Sequence, residues 1–335
     1  MAIMSVAEIL KSFESRVGCQ ITIEPKYQRV GSIRFPAGKI FYFKNTTIDV
    51  NNFAAAEIAR DKDYARFFMS RFGYNIPEGS SFFSEYWRKI NNSTNNSYEA
   101  IVFANKLGYP LILKPNGRGQ GEGVYKIHSE KQLSKLLPRI FKDNNIILLE
   151  KYIEGKDYRI VVLRDEVLIA YSRSPLFILG DGYSSIETLL ENKIKNLNNL
   201  NRNLTVTISD SRIRERLRNL YKITPRFVPE LNEKIILLDN ANLSSGGEGE
   251  DVSDFIHHSY KELAIKLTRD MGLNFAGVDF ITKNDIAEPI NLNETFILEI
   301  NSSPGLAHYQ TFGAGAEERV RELYLKILLL LKDDK

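Results

Sequence analysis

Pro110-Leu-Ile-Leu-Lys-Pro-Asn-Gly-Arg-Gly-Gln-Gly-Glu-Gly-Val124 is the stretch on which the reading of this chain turns. Its first half is an apolar run that reads as a buried strand, with Lys114 at the end. Its second half sets Gly117, Gly119, Gly121 and Gly123 at alternate positions, which lets the backbone come close to a bulky ligand and aim N–H groups at an anion. The pattern is not a P-loop, which needs Gly-Lys-Ser/Thr. Nor is it the dinucleotide fingerprint, because Glu122 stands where a third glycine belongs. Taken alone, a flexible hairpin turn explains it about as well. The position directly after Lys114 adds weight, since one cation and several amides then converge on the same anion.

Outward from this stretch, the periodicity predicts a helix over 54–72, with Ala55, Ile58, Ala59, Phe67 and Phe68 on one face. Before it, residues 1–53 read as a short lobe: a helix around Val6 to Arg16, strands at Gln20-Ile-Thr-Ile and Lys39-Ile-Phe-Tyr-Phe, and a turn at Pro36-Ala-Gly. Asn91 to Ser97 reads as an exposed loop and Tyr98 to Leu107 as a helix. After the glycine loop come strand Val124 to Ile127, helix Glu130 to Phe141, and strands Ile146 to Glu150, Tyr158 to Leu163 and Val167 to Ser172. Lys193 to Asn203 is Asn-rich and of low complexity, its order left open. The last third alternates helix Lys261 to Met271, strands Phe275 to Ile281 and Thr295 to Ile300, and a core-packing helix Glu317 to Lys332. Mixed elements with hairpin-like strands predict α+β lobes: 1–53, then 54–335 divided at 155/156.

Composition narrows the function classes. A net charge of +3 over 335 residues gives no general nucleic-acid signature. The single cysteine, Cys19, excludes an intramolecular disulfide and a Cys-based zinc site, and reads as a small buried apolar residue. No signal-like segment or run of about 18 apolar residues is present, so a cytoplasmic chain without a membrane partner is expected.

Three oxygen ligands stand near the far end: Asp279 on Gly-Val-Asp-Phe-Ile, and Glu299 and Asn301 on Ile-Leu-Glu-Ile-Asn. Period two puts Glu299 and Asn301 on one face of a strand. Two carboxylates and an amide oxygen suit magnesium shared with phosphates. A half-exposed strand is the plainer reading, weakened because these residues interrupt apolar sequence and run straight into Ser-Ser-Pro-Gly.

Here the chain resembles a known superfamily. Lys62 in Ile-Ala-Arg-Asp-Lys-Asp, Gly-Tyr-Asn-Ile-Pro, Leu-Lys114-Pro with its glycine loop, Leu-Glu150-Lys-Tyr-Ile-Glu-Gly-Lys-Asp157-Tyr-Arg159, Gly-Val-Asp279 and Glu299-Ile-Asn301 occur in the order of an ATP-grasp ligase. Within that superfamily it looks most like the ATP-grasp portion of cyanophycin synthetase and of fused bacterial glutathione synthetases. Supporting strings are Ser172-Arg173-Ser-Pro, Gly180-Asp-Gly-Tyr-Ser-Ser-Ile, Asn242-Leu-Ser-Ser-Gly-Gly and Asn301-Ser-Ser-Pro-Gly-Leu, and the match runs from about residue 54 to the end.

The resemblance implies an ATP-grasp fold, two α+β lobes gripping ATP, with a short N-terminal lobe. It implies that Lys62 and Lys114 hold ATP phosphates under the Gly117–Gly123 loop. Glu150 meets the adenine amino group, the Lys151–Tyr152 backbone reads the ring edge, and Asp157 binds the ribose. Asp279, Glu299 and Asn301 ligate one or two magnesium ions, with manganese as a substitute. Arg173 and Arg159 stabilise the transferred phosphoryl group or the acyl phosphate. The implied reaction joins a carboxylate, of an amino acid or peptide, to an amine and releases ADP and phosphate. No Ser-His-Asp or Cys-His nucleophile is apparent. Arg202, Arg212, Arg214, Arg216 and Arg218 are read first as a solvated helix face and second as a grip on an anionic substrate. His257 and His308 are placed near the site but not as metal ligands. Peptide macrocyclisation of the graspetide type, a regulatory ATP-binding module without turnover and a small-molecule kinase remain as rivals, and a homodimer as an option.

Overall fold

The computed structural model describes residues 3–333 apart from 120, 201, 203, 205 and 208. The chain opens with α1 (Val6–Ser12), started by a Ser5–Glu8 capping box, and one-turn α2 (Glu14–Val17), closed by left-handed Gly18. Strands β1 (Gln20–Ile23), β2 (Val30–Arg34), β3 (Ile40–Lys44) and β4 (Thr47–Ile48) pair antiparallel in chain order. Alternation turns Ile21, Ile33 and Phe43 into the core. Cys19 is partly buried against the same core.

The single helix expected over 54–72 is two: α3 (Phe53–Arg60) and α4 (Lys62–Arg71). They part at Asp61, whose backbone is extended and whose carboxylate caps α4 by accepting the Tyr64 N–H at 3.0 Å. The break resets the helical phase. Ala59, Ala65 and Met69 are buried, whereas Phe67, expected on the apolar face, is 62% exposed.

Strand β5 (Gly79–Phe83) leads through α5 (Glu85–Ile90) and α6 (Ser97–Leu107) to β6 (Leu111–Pro115), β7 (Tyr125–Ile127), α7 (Glu130–Asp143) and β8 (Ile146–Lys151). The second sheet has the order β5-β8-β6-β7. Its one face, with Leu111, Leu113, Ile147 and Leu149, packs on Ala100 and Ala104 of α6 and Leu133 and Leu137 of α7. Alternation gives Lys114 and Glu150 to the opposite face, toward α4, where Ser81 Oγ donates to Asp63 Oδ2 at 3.0 Å.

Next come β9 (Lys156–Leu163), β10 (Glu166–Ser174) and β11 (Phe177–Leu179), then α8 (Ile186–Asn199), α9 (Ser211–Arg216) and β12 (Lys234–Ile236). Strands β11 and β12 form a hairpin-like pair over a small core that includes Ile186, Leu190 and Ile213. The Asn-rich stretch is therefore helical as far as Asn199, while 201 and 203 lie outside the described residues. The chain ends with β13 (Glu248–Asp251), α10 (His258–Asp270), β14 (Phe275–Thr282), β15 (Thr295–Asn301) and α11 (Ala314–Asp333).

The five-stranded antiparallel sheet β13-β10-β9-β14-β15 positions everything that follows. Tyr158, Ile160, Val162, Val278 and Phe280 point to one face, against a core that includes Tyr260 and Leu267 of α10. Val161, Leu163, Ile169, Tyr171 and Phe275 point to the other, covered by Val320, Leu323 and Ile327 of α11. That second face continues beyond its apolar half and carries Asp157, Arg159, Arg173 and Asp279 by the same alternation, while a register shift on β15 between Ile297 and Glu299 brings Glu299 and Asn301 to it.

Candidate active site

Strand register assembles the charged half of that face. Tyr171, Arg159, Asp279 and Glu299 lie in one row across β10, β9, β14 and β15, and Arg173 stands opposite Asp157 in the next. Arg159 grips Asp279 through two contacts, Nε to Oδ1 and Nη2 to Oδ2, both at 2.5 Å. Arg173 Nη2 reaches Asp157 at 2.6 Å and Asp279 at 3.1 Å. Asn301 Nδ2 donates to Glu299 Oε1 at 2.8 Å, so the two share a face as their spacing predicts.

Burial and charge set the ionisation of this cluster. Burial works to raise the Glu299 pKa, but Lys62, Arg159, the Asn301 amide and Lys114 outweigh it and hold the carboxyl down at about 2. Burial pushes Asp157 up to about 6, with Asp279 adding to the rise and Arg173 and Arg159 opposing it. Burial also disfavours the charged guanidinium of Arg173, yet Asp157 and Asp279 raise its pKa above the ordinary value.

Lys62 joins this face to the glycine loop. Its ammonium donates to the carbonyls of Asn116 (3.3 Å) and Arg118 (2.7 Å) and lies 4.0 Å from Glu299. The loop start is tied to the head of α4 from both sides: Asn116 Nδ2 donates to Asp61 Oδ2, and the Asp63 N–H donates to Asn116 Oδ1. Gly117 and Gly119 face open space. Gly121 has φ +70°, and a Cβ there would meet Asn240 Nδ2 at 2.1 Å.

Lys114 does not stand free beside the loop. Its ammonium is 2.7 Å from Glu150 Oε2, and Arg66 Nη1 is 2.8 Å from Oε1, all three side chains buried. Arg66 was missed from sequence, although its place four residues after Lys62 on α4 was the available signal. Gly79 was missed too; a Cβ there would press on the Glu150 side chain at 2.8 Å. The Lys151 N–H donates to Glu78 O (2.7 Å) and the Tyr152 N–H to Pro110 O (3.3 Å), so the backbone donors assigned to a ring edge are occupied in this conformation. The Tyr152 ring carries the Lys126 ammonium at 3.4 Å. Asp157 sits with the acid–arginine cluster.

Of the arginine cluster, Arg212 pairs with Asp210, Arg216 with Asp239, and Arg214 and Arg218 are exposed. Arg202 differs. It is 3% exposed, its Nη2 donates to Leu243 O (2.6 Å) and Gly247 O (2.7 Å), and its Nε has no partner among the described residues. Burial lowers its pKa with only Glu248 to offset it. His308 Nδ1 is buried and unpartnered likewise, and burial, with Arg202 close by, takes its pKa down to about 4. His257 instead caps α10 through Ser259.

The donor set fits magnesium in kind. Asp279 and Glu299 are hard oxygen donors facing each other across β14 and β15, with Asn301 beside them. Both Asp279 oxygens are engaged by arginine, and no group of three or more His, Cys, Asp or Glu poised to hold a metal occurs among the described residues. The residues therefore suit an ion that takes most of its ligands from phosphates.

Comparison with known proteins bears on the fold that carries these residues. Residues 68–185 match the family model described as D-ala D-ala ligase C-terminus, and 239–323 that of the RimK-like ATP-grasp domain. A crystal structure of a bifunctional glutathione synthetase from Pasteurella multocida superposes with TM-score 0.61 at 22% identity, over 97% of this chain and 43% of that one. The chain has the ATP-grasp fold and is similar to ATP-grasp ligases over both matched stretches. Among individual proteins, the chain is similar to cyanophycin synthetase of Trichormus variabilis, at 27% identity over 286 residues, 84% of this chain and 30% of that protein. It is similar as well to the glutathione biosynthesis bifunctional protein GshAB of Clostridium perfringens, at 30% identity over 214 residues, 62% of this chain and 27% of that protein. It thus spans less than a third of the length of these two relatives. No helix among the described residues is long and apolar enough to cross a membrane.

Proposed function

We propose that this chain is an ADP-forming ligase that joins a carboxylate to an amine through an acyl phosphate. The observation that carries the reading is the single sheet face on which Arg159, Arg173, Asp279, Glu299 and Asn301 meet, linked by Lys62 to the glycine loop. Phosphoryl transfer needs positioning and charge neutralisation more than covalent help from the protein, and this face offers both.

ATP lies between the loop and the face, with its phosphates toward Lys62 and Lys114 and its base beside Glu150, Lys151 and Tyr152. Asp279, Glu299 and Asn301 would hold magnesium, which would supply charge neutralisation to the phosphates. A substrate carboxylate oxygen attacks the γ-phosphorus, and ADP leaves with the electrons of the broken P–O bond. The amine nitrogen then adds to the acyl carbon; phosphate departs with the C–O electron pair and the nitrogen gives up a proton. Arg159 and Arg173 trade their carboxylate partners for the oxygens of the transferred phosphoryl group. The buried, incompletely partnered Arg202, with His308, receives the anionic end of an amino-acid or peptide substrate.

The test is phosphate release from ATP and magnesium with pooled amino acids, dipeptides and small amines, followed by mass spectrometry. Substrate-dependent phosphate, with a product one water lighter than its two parts, supports the ligase. Nucleotide binding without turnover in any pool would favour a peptide or carrier-borne substrate, with a regulatory module behind it. A phosphorylated alcohol would make it a kinase.

A further inference from the structure

The chain's formal net charge of +3 resides wholly in its first 53 residues, where seven lysines and arginines face four acids; the remainder is balanced. Four of these cations, Lys26, Arg29, Arg34 and Lys44, belong to β2, β3 and the turn that leads into β2. While Ile21, Ile33 and Phe43 turn inward, β2 and β3 present Val30, Arg34, Ile40, Tyr42 and Lys44 outward, all exposed. The turn before β2 adds Lys26, Tyr27 and Arg29, held beside the end of β3 by the Asn45 N–H donating to Arg29 O at 2.7 Å. Among the described residues, Lys26, Arg29, Arg34 and Lys44 form no ion pair. The two nearby acids are committed to the backbone: Glu24 accepts the N–H groups of Lys26 and Tyr27, and Asp49 accepts that of Tyr42.

Two further observations say how this face is used. The outer edge of β1 is blocked, because the Ile21 N–H donates to Glu14 Oε1 (2.6 Å) and Lys11 Nζ donates to Ile21 O (2.8 Å). A partner therefore lies on the face and does not extend the sheet. The end of the sheet at Lys44 abuts the active-site loop, where Thr46 Oγ1 donates to Ser303 O (3.1 Å) and Thr47 Oγ1 to Ser303 Oγ (3.2 Å), two residues past Asn301.

We propose that this face docks an acidic, extended polypeptide segment and holds it beside the Ser303 loop. Cations stand at both ends of β3, about 13 Å apart for a five-residue strand, with Ile40 opposite Arg34, Val30 opposite Lys44 and Tyr42 between them. That spacing suits four or five extended residues with carboxylates at either end. The inference does not depend on the reaction proposed above, and its test omits ATP.

The measurement is fluorescence anisotropy of a fluorescein-labelled deca-glutamate peptide with the full chain, at rising salt. The expected result is saturable binding that weakens with salt and falls at least ten-fold in R29E/R34E/K44E, or in R29Q/R34Q/K44Q should the reversal not fold. K131E/K135E/R139E, which reverses exposed cations on α7, stays within two-fold of the parent. Absence of binding by the parent, no change in the first variant, or equal losses in both sets would overturn the proposal. So would tighter binding of a ten-nucleotide poly-dT strand, which would mark a nucleic-acid surface, or self-association abolished by R29E/R34E/K44E, which would assign the face to a second copy.

Discussion

Asp279 is the carboxylate on which the charged face depends, being 3% exposed and engaged by Arg159 and Arg173 together. Asp279→Asn keeps the shape and removes the charge, leaving two buried guanidinium groups short of an anion. Breaking a buried pair from one side typically costs about 3 kcal/mol or more, and that loss should appear in denaturant unfolding along with the loss of turnover. His308 gives a pH test. Its folded pKa of about 4 lies below the usual 6.5, so the unfolded chain binds the proton more readily between those values. The contribution is therefore fully present above pH 6.5 and lost as pH falls toward 4. Asp157, raised from 3.8 to about 6, acts with the opposite sign over part of that window. The readout is thus the difference in stability between the parent and His308→Asn, which should shrink as pH falls from 7 to 4. A difference that stays constant would place His308 in solvent.

At the scale of the element, the glycine loop is held by fit as well as by its anchors. Gly121→Ala meets both a left-handed φ, worth about 1 kcal/mol for an alanine, and Asn240 at 2.1 Å. Nucleotide affinity by calorimetry should fall several-fold in Gly121→Ala and recover in part in G121A/N240A, where the backbone strain and a contact with Asn242 Cβ at 3.3 Å remain. If N240A restores nothing, the Asn240 contact has no part in closing the loop. The loop, the strands around it and the shared face of Glu299 and Asn301 were legible in the sequence because strand alternation and glycine spacing are local patterns. The break at Asp61 was less so. An Asp before a polar turn is an N-cap signal, yet the apolar residues on either side keep helical spacing through it, and so Phe67 was placed inside when it points out. The Asn-rich composition likewise hid the spacing of Ile186, Leu190 and Ile194, which makes α8 a helix. The partners of the ions were not legible at all. Arg66 on Glu150 and Arg159 on Asp279 join residues 84 and 120 positions apart, and nothing local in sequence encodes that pairing.

Across the whole molecule, the first 50 residues share one hydrophobic core with α11 and the five-stranded sheet, and Asn51 adds a polar anchor between them. Its Nδ2 donates to Phe275 O (2.8 Å) and Ser302 O (2.9 Å), and its Oδ1 accepts the N–H groups of Asn274 (2.8 Å) and Phe275 (2.9 Å). One side chain thus serves four backbone groups, three at Asn274 and Phe275 where β14 begins and one directly after Asn301. Because β14 carries Asp279 and β15 ends at Asn301, the seam that seats the first lobe also fixes the spacing of the oxygen donors. Asn51→Ala leaves those four groups without this partner, and on the order of 3 kcal/mol of stability should be lost, at about 1 kcal/mol for each bond after partial rehydration. The consequence for the site is separable from the loss of stability. Measured well below the unfolding transition, Asn51→Ala should bind nucleotide in the absence of metal much as the parent does, since Lys114 and the glycine loop belong to the separate β5-β8-β6-β7 sheet. Its requirement for magnesium should rise several-fold, because the strand ends that bring Asp279, Glu299 and Asn301 together are no longer held in register from below. A variant destabilised as expected but with an unchanged magnesium dependence would show that β14 and β15 keep their own spacing, and that the first lobe contributes to folding without shaping the site.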